Sequence, residues 1–283
     1  MRAGFLIAAS LSVLGLTACK GDGAATSSKE VSKPAAQSAV QSKIDFNATM
    51  TALAAKLDRE IEQPLIVPVP KDAGGGYTHE RHKLNAKAIY ESGLMYESTG
   101  EAKYAEHAKN YFLEYAKLYP TLGLHPEKKE QSPGRLFWQN LNESWWLVYA
   151  AQGYDKIKDT LSDEERETIE TDVLRAISEF LSNGSPETFN KVHNHGTWAT
   201  AAVGLTGYAI GDQDYVEKAL LGLDKSGDYG FIKQLDELFS PDGYYNEGPY
   251  YQRFALMPFV LFGQAVAKNN PCLLYTSPSP RDS

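Results

Sequence analysis

The sequence predicts an all-α protein whose antiparallel helix hairpins close as an (α/α) toroid, and three observations predict it. Apolar residues recur at helical spacing from about Ile44 to Lys268, as in Ala86, Ile89, Tyr90 and Leu94, then Tyr104, Ala108, Tyr111, Phe112 and Tyr115. Alternating apolar and polar runs, the mark of a half-buried strand, are absent. Finally, the stretch from Tyr96 through Gly100 to Tyr104 and Ala108 is echoed by Tyr208, Gly211, Tyr215 and Ala219. In both, a helix ends at glycine, an acidic residue opens the next helix, and a tyrosine packs back. The echo lacks the regular period of about 34 residues of tetratricopeptide repeats, so a ring of hairpins fits better than a superhelix.

Before the first helices, residues 1–19 read as a bacterial export signal, with Arg2 followed by an apolar run from Phe5 to Leu16. That run is too short to stay in a bilayer as a spanning helix. It closes on Leu16, Thr17, Ala18 and Cys19, which resembles a lipoprotein cleavage box with Cys19 as the lipidated residue. The expected membrane partner is therefore an N-terminal lipid anchor. Lys20 rather than Asp after it is compatible with sorting to the outer membrane, in a periplasmic or cell-surface protein. Residues 20–43 are Ser, Ala, Lys, Gly and Thr with almost no large apolar side chain, the composition of a flexible tether.

The body, residues 44–271, follows. Residues 64–70 form a Pro-rich extended connector, and further helices are expected over 137–152, 163–181, 197–210, 215–223 and 250–267. Ser162 with Glu165 reads as a capping box opening the second of these. Residues 272–283 break from the amphipathic pattern and look like the conceptual translation of a transposon-based sequencing adapter. They are set apart from the fold as a scar, so the natural C-terminus is expected to lie elsewhere.

Charge and cysteine content exclude several classes. The formal net charge of −8 becomes −9 once Arg2 leaves with the signal, an unfavourable field for nucleic acid. An acidic polysaccharide would need a local gathering of Arg, Lys and His. Of two cysteines, Cys19 is consumed by lipid and Cys272 belongs to the scar, which leaves no disulfide or cysteine metal site.

Four clusters carry candidate chemistry. Asn194, His195 and Gly196 stand at a helix start, where Asn194 is expected to cap and free N–H groups favour an anion; a capping Asn beside a packed His is the plainer alternative. His193 and His195 diverge on a helix and make a poor metal pair. The second cluster runs from Asp242 through Glu247, Gly248, Pro249, Tyr250 and Tyr251 to Arg253, a turn followed by a tyrosine-rich helix start. Arg253 beside a tyrosine would lower its pKa and help it exchange a proton. The third, Asp72 to Lys83, holds three glycines, then Tyr77, His79, Arg81 and His82; it is either a ligand-approaching loop or a flexible one with capping side chains. The fourth is Arg135, Trp138, Gln139, Asn142 and Glu143, at spacings that share one helix face and suit a sugar ring, unless Trp138 is core.

Gly76, Tyr77, Thr78, His79, His82 and Lys83, then Asn194, His195 and Gly196, then Glu247, Gly248, Pro249, Tyr250, Tyr251 and Arg253 together resemble the alginate lyase domain of the heparinase II/III-like polysaccharide lyases. Polysaccharide lyase family seventeen, the oligoalginate lyases, is the nearest in pattern. His193 stands where that pattern carries Asn. The resemblance implies an incomplete toroid here, with the family's C-terminal β-sandwich domain missing, and a β-elimination on a (1→4)-linked uronate that needs no metal or cofactor. Asn194 and His195 would neutralise the substrate carboxylate, Tyr251 would protonate the leaving oxygen, and a tyrosine of the β-domain would be the base. Tyr77, His79, His82, Arg135, Gln139, Asn142 and Arg253 would line the acidic saccharide. Other classes stay open: a glycosaminoglycan lyase, a toroidal glycoside hydrolase using Glu143, Asp242 and Glu247, or a non-catalytic glycan-binding lipoprotein.

Overall fold

The computed structural model describes residues 45–270; the expected signal, tether, Cys19 and the 272–283 segment lie outside the described residues. The described chain is helical, and its only strand-like features are two isolated bridges, Pro133 with Gln139 and Phe239 with Tyr245.

Helix α1 (Phe46–Ile61) starts where Asp45 accepts a hydrogen bond from the Ala48 amide at 3.1 Å. An irregular connector leads to α2 (Tyr77–Thr99), which stops at Gly100 in the left-handed region, φ +73°. Then come α3 (Ala102–Leu118) and a long loop to α4 (Asn140–Ile157). Ser162 and Glu165 form the expected capping box at the start of α5 (Asp163–Ile169). The expected single helix over 163–181 is interrupted by a π-helical turn, Glu170–Arg175, before α6 (Ala176–Leu181). Glu170 and Arg175 at its two ends are engaged by Tyr154 and Asp212. Short α7 (Pro186–Phe189) precedes α8 (Asn194–Ile210), α9 (Gln213–Leu221), α10 (Gly230–Leu238) and α11 (Pro249–Asn269).

The two echoing corners match in backbone: Gly100 and Gly211 both sit at φ +73°. Tyr104 and Tyr215 fold back, and their hydroxyls donate to Asp58 at 3.0 Å and Glu179 at 2.8 Å. The acidic openers differ. Asp212 accepts from the Tyr215 amide at 3.3 Å, whereas Glu101 makes no side-chain cap.

Packing follows from which faces are apolar. Helices α2, α4, α8 and α11 lie against one another in that order, with α3 on α2 and α9 on α8. The segment α5 to α6 reaches α3, α4 and α8. Trp146, Trp198, Tyr154, Phe112 and Phe262 fill the resulting core and are fully buried. Helix α8 is mostly Ala, Gly and Thr, which lets neighbours approach on all sides: a Cβ on Gly204 would fall 2.3 Å from the Phe262 ring of α11.

Candidate active site

Helix α8 begins at Asn194, and the cap is His193 rather than the expected Asn194; His193 Nδ1 accepts from the His195 amide at 3.4 Å. Asn194 is the first helical residue and buried. Its side chain is therefore free for another partner, and that partner is Glu247, 53 residues on. Asn194 Nδ2 donates to Glu247 Oε2 at 2.9 Å and its amide nitrogen to Oε1 at 3.3 Å. The Tyr245 hydroxyl donates to the same Oε1 at 2.9 Å, and His193 Nε2 lies 3.7 Å away. Burial, and then the Glu247 carboxylate, hold the Tyr245 phenol protonated.

His195 lines a cavity of about 300 Å³ with Lys129, Gln131, Ser132, Thr188 and Lys191. Burial pushes its imidazole down to about 4, helped by the charges of His193, Lys129 and Lys191. It is neutral at physiological pH and surrounded by cations, an arrangement suited to receiving an anion. Lys129, Lys191 and Glu247's bonding role were not singled out from sequence. Lys191 lies only four residues before His195, so its place was within reach of a local reading, whereas Lys129 comes from the loop before α4 and no local pattern ties it to His195.

Tyr251 sits in the first turn of α11, following Gly248 at φ +89° and Pro249. It is about half exposed and lines a different cavity, of about 410 Å³, with Trp145, Trp198, Tyr250, Arg253, Phe254 and Met257. The Arg253 guanidinium lies over the Tyr250 ring, 6.0 Å from its centroid. The two cavities are linked through α8: Trp198, one turn past Asn194, stacks on Phe254 with centroids 5.0 Å apart.

The glycine loop is pinned rather than flexible. Asp72 accepts from both the Thr78 amide and its hydroxyl at 2.9 Å, and the Asp72 amide donates back to that hydroxyl. Gly74 rests on the indole edge of Trp138, where an added Cβ would stand 3.2 Å from Nε1. Tyr77 is exposed with Arg81 over its ring. His79 and His82, expected to face saccharide, point into the core instead. They share the buried face of α2 with Ala86 and Ile89, one turn after another. His79 stacks edge-on against Phe137, and His82 Nδ1 lies 2.8 Å from the Tyr115 hydroxyl.

Arg135, Trp138, Gln139, Asn142 and Glu143 do not share a helix face, because α4 starts only at Asn140. Glu143 explains the delay. Fully buried, it accepts the Arg135 amide at 2.8 Å and the Tyr119 hydroxyl at 2.6 Å, holding the preceding loop open. Burial pushes its carboxyl up to about 7. The Arg135 guanidinium is laid over Phe180 at 4.7 Å, Gln139 is the residue preceding α4, and Asn142 Oδ1 is buried without a partner among the described residues. A carboxylate pair for hydrolysis is not assembled by these residues: Glu143 is sealed in, Glu247 is held by Asn194 and Tyr245, and Asp242 is an exposed turn residue bonded to Ser240.

Residues 31–282 match the family model described as alginate lyase. An exo-oligoalginate lyase of Saccharophagus degradans is 61% identical over 215 residues, covering 76% of this chain and 29% of that protein. An alginate lyase of Stenotrophomonas maltophilia is 54% identical over 217 residues, covering 77% of this chain and 29% of its own length. The chain thus spans about 29% of the length of the curated relatives it matches.

Proposed function

The chain belongs to the alginate lyase family, and from that membership we propose that its protein cleaves a (1→4)-linked uronate polymer or oligomer, alginate first, by β-elimination to unsaturated uronate ends. The observation that carries this reading is the neutral His195 among Lys129 and Lys191, beside Asn194, in a chain of net charge −8. A local cationic pocket is what an acidic chain needs to receive a uronate carboxylate.

The chemistry follows from the acidity of the proton at C5, which is low while the neighbouring carboxylate keeps its charge. Hydrogen bonds from Asn194 and His195 to that carboxylate would let negative charge spread onto it as the proton leaves, an oxyanion-type stabilisation. A neutral imidazole donates one such bond without surrendering a proton. Tyr251, half exposed and at the mouth of an aromatic cavity, would give its phenolic proton to the departing glycosidic oxygen. Arg253 and Tyr77, both at the surface, would meet the flanking sugars. The row of α2, α4, α8 and α11 with outer partners supports reading the helices as an arc of an (α/α) toroid. In the same proposal a β-sandwich domain of the whole protein supplies the base, and lipidated Cys19 holds the protein at the outer membrane, facing its polysaccharide.

The test is formation of the C4–C5 double bond, read as near-ultraviolet absorbance when the full-length protein is given alginate oligomers. Turnover with unsaturated product, lost in Tyr251→Phe, is expected. Saturated products, or no product from alginate, hyaluronan, chondroitin and heparan oligomers, would end the lyase reading.

A further inference from the structure

We propose that Glu247 is a positioning residue that locks the Asn194 amide in the one orientation offering an N–H to an arriving uronate; this rests on the lyase reading above. A primary amide has two flips of nearly equal shape, one presenting N–H and the other C=O. Only the first helps neutralise a carboxylate, so the site needs a means of excluding the second. Glu247 supplies it, because an ionised carboxylate only accepts. Flipping Asn194 would turn its oxygen onto Glu247 and leave two acceptors face to face.

The carboxylate in turn is unable to rotate away freely. Its Oε1 holds the Asn194 backbone amide at 3.3 Å and the Tyr245 hydroxyl at 2.9 Å while Oε2 holds Asn194 Nδ2 at 2.9 Å. Asn194 Oδ1 is buried and accepts no bond among the described residues, so of these Glu247 alone selects the orientation. The contact also ties the first turn of α8 to the turn that begins α11. The Gly248 amide closes on the Tyr245 carbonyl at 2.9 Å, and α11 with Tyr251 follows directly. Glu247 thereby sets the amide and the proposed acid in one frame.

Steady-state kinetics of full-length Glu247→Ala and Glu247→Gln, each checked by thermal unfolding, test the proposal. A misdirected group costs turnover rather than binding, so Glu247→Ala is expected to lower kcat about 100-fold with KM within about 3-fold. Glu247→Gln has a single oxygen, which the Asn194 backbone amide and the Tyr245 hydroxyl both claim, so its N–H faces the Asn194 side chain and favours the flipped amide; kcat should fall at least as far as in Glu247→Ala. An unchanged kcat in Glu247→Ala, or a wild-type kcat in Glu247→Gln, overturns it. A second readout is independent of turnover. In the chain labelled with ¹⁵N-asparagine, the Asn194 side-chain amide signals should move to free-amide positions in Glu247→Ala and move as well in Glu247→Gln; no movement in either variant overturns the proposal. Absent turnover in the wild type with the amide shift present would instead count against the lyase reading alone.

Discussion

Gly93 of α2 and Gly153 of α4 touch backbone to backbone: a Cβ on Gly93 would stand 2.8 Å from the Gly153 carbonyl oxygen, and one on Gly153 would stand 2.8 Å from the Ile89 carbonyl oxygen. Main-chain atoms cannot step aside as a side chain can. Gly93→Ala and Gly153→Ala are therefore each expected to cost about 1–3 kcal/mol, read from denaturant unfolding. Stability equal to wild type in both would show that the helices are free to separate.

Tyr251→Phe removes one hydroxyl from a half-exposed ring. If Tyr251 donates the proton to the leaving oxygen, kcat should fall by about 10²–10⁴-fold while KM changes little. A rate within a few-fold of wild type would pass the acid role to another group.

Lys129→Ala takes away one of the cations facing His195. The expected result is a rise of about 10-fold in KM for alginate oligomers, larger at low salt than at high salt. A KM that does not depend on salt in either protein would argue against carboxylate binding in this cavity.

Two buried groups pull the pH dependence of stability in opposite directions. Burial lowers the His82 imidazole from 6.5 to about 3, with the charges of His79 and His125 adding to it. The folded state then refuses a proton that the unfolded chain accepts, so this stability is present above pH 6.5 and lost as pH falls towards 3. His82→Asn, which keeps a partner for the Tyr115 hydroxyl, should lose about 2 kcal/mol less than wild type between pH 7.5 and 5. An identical loss in both proteins would rule His82 out.

Glu143 runs the other way. Burial raises its carboxyl from 4.5 to about 7, opposed by bonds from Tyr119 and the loop amides of Arg135 and Leu136. Stability from this group is full below 4.5 and lost as pH rises through about 7. Relative to wild type, Glu143→Gln should therefore look better at pH 8 than at pH 4.5, by about 3 kcal/mol in chemical denaturation. A difference that is flat with pH would mean that Glu143 titrates normally.

Local chemistry was legible in the sequence where its partners are local. The Ser162 box and the Gly100 and Gly211 corners each close within a few residues, so residue type and spacing determine them. The glycine loop before them makes His79 and His82 look ligand-facing in the sequence. Their spacing to Ala86 and Ile89 already carried the buried stripe of α2. The start of α4 was hidden for a different reason. A fully buried Glu143 gathers loop amides in three dimensions, and nothing in its neighbours announces that it is buried. The Asn194–Glu247 pair spans 53 residues, and Lys129 reaches His195 from a separate loop, so only the fold joins them; Lys191, four residues before His195, is the one cation a local reading could have found.

Helix α8 touches α4, α6, α7, α9, α10 and α11, and almost every one of its residues is out of contact with solvent. Amides in such a place open to deuterium only when the whole domain comes apart. Asn194 and His195 thus begin the helix expected to exchange last, while Tyr251 projects from the half-exposed first turn of α11. A saccharide arriving between them would find the anion-receiving side already rigid, and whatever ordering its binding requires would fall on the tyrosine side.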